Sequence, residues 1–321
     1  MRVALNKKDF IWAGLSSSFN GAFWFLLILI SGYFLSKEEV AILLTFIVIG
    51  NISLLFEFGF VSTLSRNLTY VYAGSQTLQK KGLDKSNKEI NYKLFAEIIG
   101  ASNLIFKIIG VFGGFILYIF GILYLFHTIN NELDLSRIIF FWLIYCTGPV
   151  INLLFSNYNI LIQGRGEVYK YHKILSINKI SQLIFTTLFF CLNFGLASVS
   201  IASLLSNILG RFLAYKDTKK ERLIFFKEKP KLTSQFKILK IVFSNSIQYG
   251  IVIISAFLIS KANILIAGWH LGLLEAATLN ITIQIFAMIQ TFSLIPFLLI
   301  TPKLNWLWAN NKYQRIKKDF S

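Results

Sequence analysis

Long apolar runs separated by short polar ones dominate the chain. A helix needs roughly 20 apolar residues to cross a bilayer, and eight stretches reach about that length: 11–35, 39–62, 104–126, 138–162, 174–193, 196–213, 243–268 and 277–300. Asn193-Phe194-Gly195 joins the fifth and sixth as a tight turn. The first run has no small-residue cleavage site after it, so it reads as a span and not as a signal peptide. The pattern predicts an all-α polytopic membrane protein of about eight transmembrane helices.

Composition agrees with the pattern. The 321 residues are 55% hydrophobic and 15% charged, with a mean hydropathy of +0.63. A soluble domain carries roughly 25% charged residues and has to present a solvated surface. The balance excludes a soluble enzyme, a disordered chain and a disulfide scaffold. Both cysteines, Cys146 and Cys191, lie in apolar runs.

Charge supplies sidedness. The net charge is +17 and the pI about 9.8, an excess that in a soluble protein suggests nucleic acid. Here its distribution gives another reading. Of the 32 Lys and Arg, 28 fall in 1–10, 66–95, 163–180, 211–240 and 301–321, on one side of the predicted spans. Lys37 and Arg137 fall on the other, and Lys107 and Lys261 within spans. Positive residues gather on the cytoplasmic side, which predicts cytoplasmic N- and C-termini and no nucleic-acid partner. The remaining pull is towards anionic headgroups of membrane lipids. The stretch 211–240 holds ten of these basic residues and Pro230, and reads as a solvated linker.

An internal repeat organises the chain further. Gly32, Leu35, Glu39, Ala41, Leu43, Ile47 and Ile49 reappear 236 residues later as Gly268, Leu271, Glu275, Ala277, Leu279, Ile283 and Ile285. Both copies lie where one span turns back into the next, so span seven repeats span one. Parallel repeats are characteristic of transporters. The expected organisation is a six-helix bundle over 1–215, a basic cytoplasmic linker over 216–240, and over 241–321 the first two helices of a second bundle, truncated there.

Intramembrane charge is costly and marks cavities, partners or pathways. Glu57, near the end of span two, is either an ion-pair partner of Arg66 or Lys107 or a pathway group. Lys107 sits where it can snorkel to headgroups. Lys261 lies about 30 Å along its helix from Lys240 at 1.5 Å per residue, without an acidic neighbour in sequence. It would attract an anion in a wet cavity or snorkel outward. Asn263 and many amides, among them Asn51, Asn152, Asn159, Asn178, Asn207 and Gln284, point to a water-accessible interior. Pro149 and Pro296 would kink spans four and eight and free carbonyls, and Gly110 and Gly114 have close-packing spacing. His127, His172 and His270 lack metal-ligand spacing, and neither a phosphate-binding loop nor a nucleophile motif is present. No enzyme and no resident cofactor is expected.

Several segments resemble polysaccharide flippases of the Wzx type, in the superfamily that also holds the MATE multidrug exporters. They are Phe58-Gly59-Phe60-Val61-Ser62-Thr63-Leu64-Ser65-Arg66-Asn67, Asn157-Tyr158-Asn159 through Gln163-Gly164-Arg165-Gly166, the Asn193–Arg211 hairpin, and Lys261-Ala262-Asn263 with Leu294-Ile295-Pro296. The resemblance implies two six-helix bundles in a V around a central cavity, rocking by alternating access. It implies an undecaprenyl-pyrophosphate-linked oligosaccharide, an O-antigen or capsule repeat unit, as the substrate. That substrate would be moved across the bacterial inner membrane with Na+ or H+ coupling open, and the glycan polymerase machinery would be a further partner. Arg66, Arg165 and Arg211 would gather the headgroup at the inner mouth, with Lys261 holding it in transit. The family has about twelve spans where eight are read here. A MATE-like small-molecule or cation exporter and an inactive truncated remnant are the alternatives. A glycan polymerase would want a large external loop and an acyltransferase an intramembrane His, and neither is present.

Overall fold

The computed structural model describes residues 7–78, 89–129 and 134–309, with side chains undescribed through most of 7–21 and 292–309. Among these residues every regular element is helical. In order they are α1 (Lys7–Phe34), α2 (Lys37–Gly50), α3 (Ser53–Glu57), α4 (Phe60–Tyr72), α5 (Tyr92–Thr128), α6 (Leu135–Leu154), α7 (Asn157–Gly164), α8 (Val168–Cys191) and α9 (Ala197–Asp217). They continue as α10 (Lys219–Glu228), α11 (Leu232–Phe257), a π-helical turn (Leu258–Ala262), α12 (Asn263–His270) and α13 (Leu273–Ala309). Seven helical stretches are long and apolar enough to span a bilayer, and Ala22–Phe34 within α1 is a shorter apolar helix. The all-α multi-pass membrane architecture is therefore the one the hydropathy predicts. Phe112, Phe115, Leu123, Ile184, Val252 and Phe286 all point outward and exposed, as lipid-facing side chains must.

Local sequence explains the turns. Ser36 caps α2 through a reciprocal box, its Oγ accepting from Glu39 N at 3.2 Å while Glu39 Oε2 accepts from Ser36 N at 3.1 Å. In the second repeat copy Gly272 stands at the Ser36 position with φ +109°, and the Glu275 carboxylate folds back over it. The copies also touch. α13 packs on α1 and α2, and Asn280 Nδ2 donates to Leu44 O at 3.5 Å across 236 residues, the repeat offset itself. The Asn193-Phe194-Gly195 turn between α8 and α9 uses left-handed residues at Asn193 (φ 61°) and Gly195 (φ 55°).

Three expected spans are interrupted. The run 39–62 is three pieces and not one helix: α2 ends at Gly50, and Phe58 and Gly59 adopt left-handed conformations between α3 and α4. The run 138–162 passes through Pro149 intact and breaks later, at Phe155-Ser156. The run 243–268 carries the π-turn, which holds Lys261. Such bulges often mark functional positions. Pro296 falls where only the backbone is described, and that backbone stays helical.

The stretch 211–240 differs most from expectation. It is helical on both sides of a left-handed Lys229, and α10 packs on α5 with Ile224 and Phe225 turned to the core. Its basic residues mask an apolar inner face, which composition alone reads as linker.

α11 to α13 meet the preceding helices at two levels. Near the Lys/Arg-rich end, Ile238 and Val242 join a core with Phe60, Leu64, Phe95 and Ile160. Gly250 lets Phe58 approach so closely that a Cβ there would lie 2.5 Å from its ring. At the opposite end Ile264 packs with Val48 and Ala276, and Tyr124 Oη donates to Leu265 O at 2.9 Å. The interior between the two levels holds the candidate site.

Candidate functional site

Lys261 sits on the π-turn and lines a cavity of about 300 Å³ together with Trp24, Asn51, Ser260 and Gln284. Its walls come from α1, the α2–α3 break, α11 and α13. Trp24 does double service. Lys179 of α8 places its Nζ 4.4 Å from the Trp24 ring centroid and 4.2 Å from that of fully buried Phe23. Lys179 lies eleven residues into α8, about 16 Å from its start at 1.5 Å per residue. Among the described residues neither lysine has an ion-pair partner. An ammonium over two ring faces gains about 2 kcal/mol when desolvated, which lets it exist there without a carboxylate.

A second polar centre fills the interior of the preceding helices. The breaks at Phe58-Gly59 and Phe155-Ser156 face each other, and Ser156 Oγ lies 3.2 Å from Glu57 Oε1 and 2.7 Å from Asn152 O. Arg211 donates from Nε to Asn152 Oδ1 at 2.8 Å, and from Nη1 to Asn159 Oδ1 and Phe155 O at 3.2 Å each. It thus adds a second donor at Phe155 O, which also accepts from Tyr158 N at 3.2 Å across the break. Asn207 Oδ1 accepts from Asn152 and Asn178 and extends the chain of amides. The cation whose field acts on Glu57 is Arg211, not the Arg66 or Lys107 considered from sequence.

Arg66 stands apart, in a cavity of about 370 Å³ lined also by Ser65, Gln163, Tyr171 and His172. Its Nη1 donates to Tyr249 Oη at 3.5 Å, and its Nε is buried without a partner. Of the three arginines predicted at one mouth, Arg66 borders this cavity, whereas Arg211 is drawn into the amide interior.

Arg165 is engaged elsewhere. Its guanidinium contacts Glu167 at 2.8 Å, Glu221 at 3.0 Å and Asp217, while Lys170 reaches Glu167 at 3.0 Å and Asp217 at 3.3 Å. Burial works against its charge, but Glu221, Asp217 and Glu167 outweigh burial and hold its pKa above the ordinary value. Tyr72 Oη lies 3.4 Å from Glu221 Oε1, and burial followed by that carboxylate pushes the phenol pKa up. Three carboxylates already compensate the Arg165 charge and occupy both of its Nη groups, and the remaining donor, Nε, is buried without a partner. Asn263 bonds only its own helix, at Ile259 O 3.5 Å away, and does not line the Lys261 cavity.

Sequence reading missed Lys179 and Trp24. Lys179 was counted with the basic flank 163–180 because the start of α8 is blurred by polar residues. With the helix beginning at Val168, the same lysine falls at mid-span.

The fold and these sites define an all-helical multi-pass membrane protein. No protein-family model and no curated protein matches the chain. Among solved structures it is similar to a MOP superfamily transporter from Pyrococcus furiosus Vc1 (DSM3638), in which reverse polarity of the binding pocket suggests a different function. The TM-score is 0.54 at 15% identity, covering 93% of this chain and 70% of that one. A likeness at that identity establishes the fold.

Proposed function

We propose that the chain belongs to the MOP superfamily and works as a flippase for a lipid-linked, diphosphate-bearing oligosaccharide, by alternating access in the bacterial inner membrane. The observation that carries this reading is the pair of carboxylate-free lysines about Trp24: Lys179 lies over its ring and Lys261 lines the cavity that Trp24 borders. A site built to pass organic cations would need carboxylates there. This one offers cations, an indole and amides, which suit a phosphate followed by sugars. In this reading Lys261 meets the phosphate, Lys179 adds a second charge, and Asn51 and Gln284 solvate the glycan while the prenyl tail stays in lipid.

Arg66 gathers the headgroup at the basic mouth, on the cytoplasmic side with both termini. Arg165 and Asn263 hold structure. Glu57, hydrogen-bonded to Ser156 beside Arg211, is the group for Na+ or H+ coupling. The helices up to Asp217 move as one body against α11–α13. The glycan polymerase machinery takes the product.

Deleting the gene in its host tests the reading. Lipid extracts should accumulate undecaprenyl-diphosphate-linked repeat units, and surface glycan should be lost. An unchanged lipid pool with intact surface glycan overturns it. In the complemented strain, Lys261→Gln at normal abundance should cut surface glycan at least tenfold. Wild-type glycan would remove Lys261 from the pathway.

A further inference from the structure

The elbow between α9 and α10 carries a groove of about 430 Å³ on the outer surface. Three cations line it at successive helical turns: Lys216, Lys219 and Arg222. Its apolar wall is Phe212, Leu223 and Phe226, whose relative exposures of 59%, 58% and 63% are those of side chains that have not found a partner within the chain. Tyr215 forms the floor. The Arg222 guanidinium carbon stacks 3.4 Å from its ring centroid, Nη2 donates to Tyr215 O at 3.0 Å, and Nε is buried without a partner.

The acids of this region face away. Glu221 is 3% exposed and turned into the Arg165 cluster, Asp217 pairs with Arg165 and Lys170, and Glu228 lies at the far end of α10. α10 therefore has one apolar face on the protein, at Ile224 and Phe225, and another, at Leu223 and Phe226, facing outward beside unopposed cations. The groove also runs in a definite direction. Phe212 lies in the span Ala197–Asp217, Lys216 is in its last turn, and Lys219 and Arg222 follow on α10. Cations at the end of a span beside exposed apolar side chains are the pairing an interfacial amphipathic helix presents.

We infer that this groove is a binding site for an anionic phospholipid, its phosphate held by Lys216, Lys219 and Arg222 and an acyl chain laid along Phe212, Leu223 and Phe226. Charge complementarity selects the headgroup: a juxtamembrane cation adds about fivefold in affinity for an anionic lipid, and no carboxylate lines the groove to oppose it. The inference is independent of the transported substrate.

Native mass spectrometry of the full chain, titrated with dioleoyl-phosphatidylglycerol or dioleoyl-phosphatidylcholine, tests it. Wild type should bind phosphatidylglycerol at least tenfold more tightly. Lys216→Gln with Lys219→Gln, both exposed, should lose about 25-fold for phosphatidylglycerol, at about fivefold per cation, and little for phosphatidylcholine. Phe226→Ala should weaken both lipids, and Lys37→Gln should change neither. A photoactivatable phosphatidylglycerol should crosslink within 212–226 in the unmodified chain. Equal affinity for the two lipids, an undiminished preference in the lysine variant, or crosslinks elsewhere would overturn the inference. So would tighter binding of a prenyl diphosphate than of phosphatidylglycerol at the same residues, which would make the groove a substrate vestibule. A second copy of the chain filling it would overturn it as well.

Discussion

Two groups of partly buried cations lie in this molecule and are handled in opposite ways. At the α7–α8 turn, Arg165 and Lys170 meet Glu167, Asp217 and Glu221, three carboxylates to two cations, so the positive charge is fully compensated within one shell of contacts. In the interior, Lys179 and Lys261 meet ring faces, amides and a cavity, and no carboxylate pairs with them among the described residues. The first arrangement fixes geometry, tying the start of α8 to the α9–α10 elbow. The second leaves positive charge available to something that enters. The proposed function needs both, because surfaces that move must stay rigid while the site between them stays incomplete until it is loaded.

The sharpest way to break the comparison is Arg165→Met. Removing one partner of a buried ionic cluster leaves the others uncompensated, at a cost of 3–5 kcal/mol when burial is complete. Glu221 has 4% side-chain exposure but Glu167 has 34%, so a loss of about 3 kcal/mol is expected, read as a large drop in thermal midpoint in detergent. A drop no larger than that of a surface variant would mean the carboxylates find water, and that the cluster is not what holds the elbow.

Lys179→Met should move stability the other way. Removing an unmatched cation relieves its desolvation, and the thioether keeps contact with Phe23 and Trp24. We expect a gain of about 1 kcal/mol together with at least a tenfold loss of surface glycan in the complemented strain. Lost stability would instead make Lys179 an aromatic-anchored strut, and its contrast with Arg165 would disappear.

Much of the fold was legible and little of the charge pairing was. Span positions follow from hydropathy, a local property, and so did the Asn193–Gly195 turn. The breaks were not, because Phe58-Gly59 and Phe155-Ser156 look like ordinary span ends until Arg211, more than fifty residues away, supplies a second donor for Phe155 O. Arg165 resembled a mouth residue since its acids lie up to 56 residues along the chain. Lys179 escaped notice for a different reason: the uncertainty in the boundary of α8 exceeds the distance that separates flank from mid-span. Gly110 and Gly114 did carry a signal, and they pack against Leu154 and Val150 of α6.

The smallest expected effect divides the cluster into core and rim. Lys170 is 30% exposed, its Nζ 3.0 Å from Glu167 and 3.3 Å from Asp217. Arg165 already contacts both acids, so Lys170→Gln removes only a part-screened second cation, with a cost of about 0.5 kcal/mol. Solvated pairs are weakened by salt and buried ones much less. The Lys170→Gln deficit should therefore shrink from low salt to about 0.5 M while the Arg165→Met deficit persists. If the two deficits fall together with salt, both cations stand in the same dielectric environment. Arg165 would then be as open to an incoming phosphate as Lys261, and the distinction between paired and available charge would have to be drawn from geometry alone.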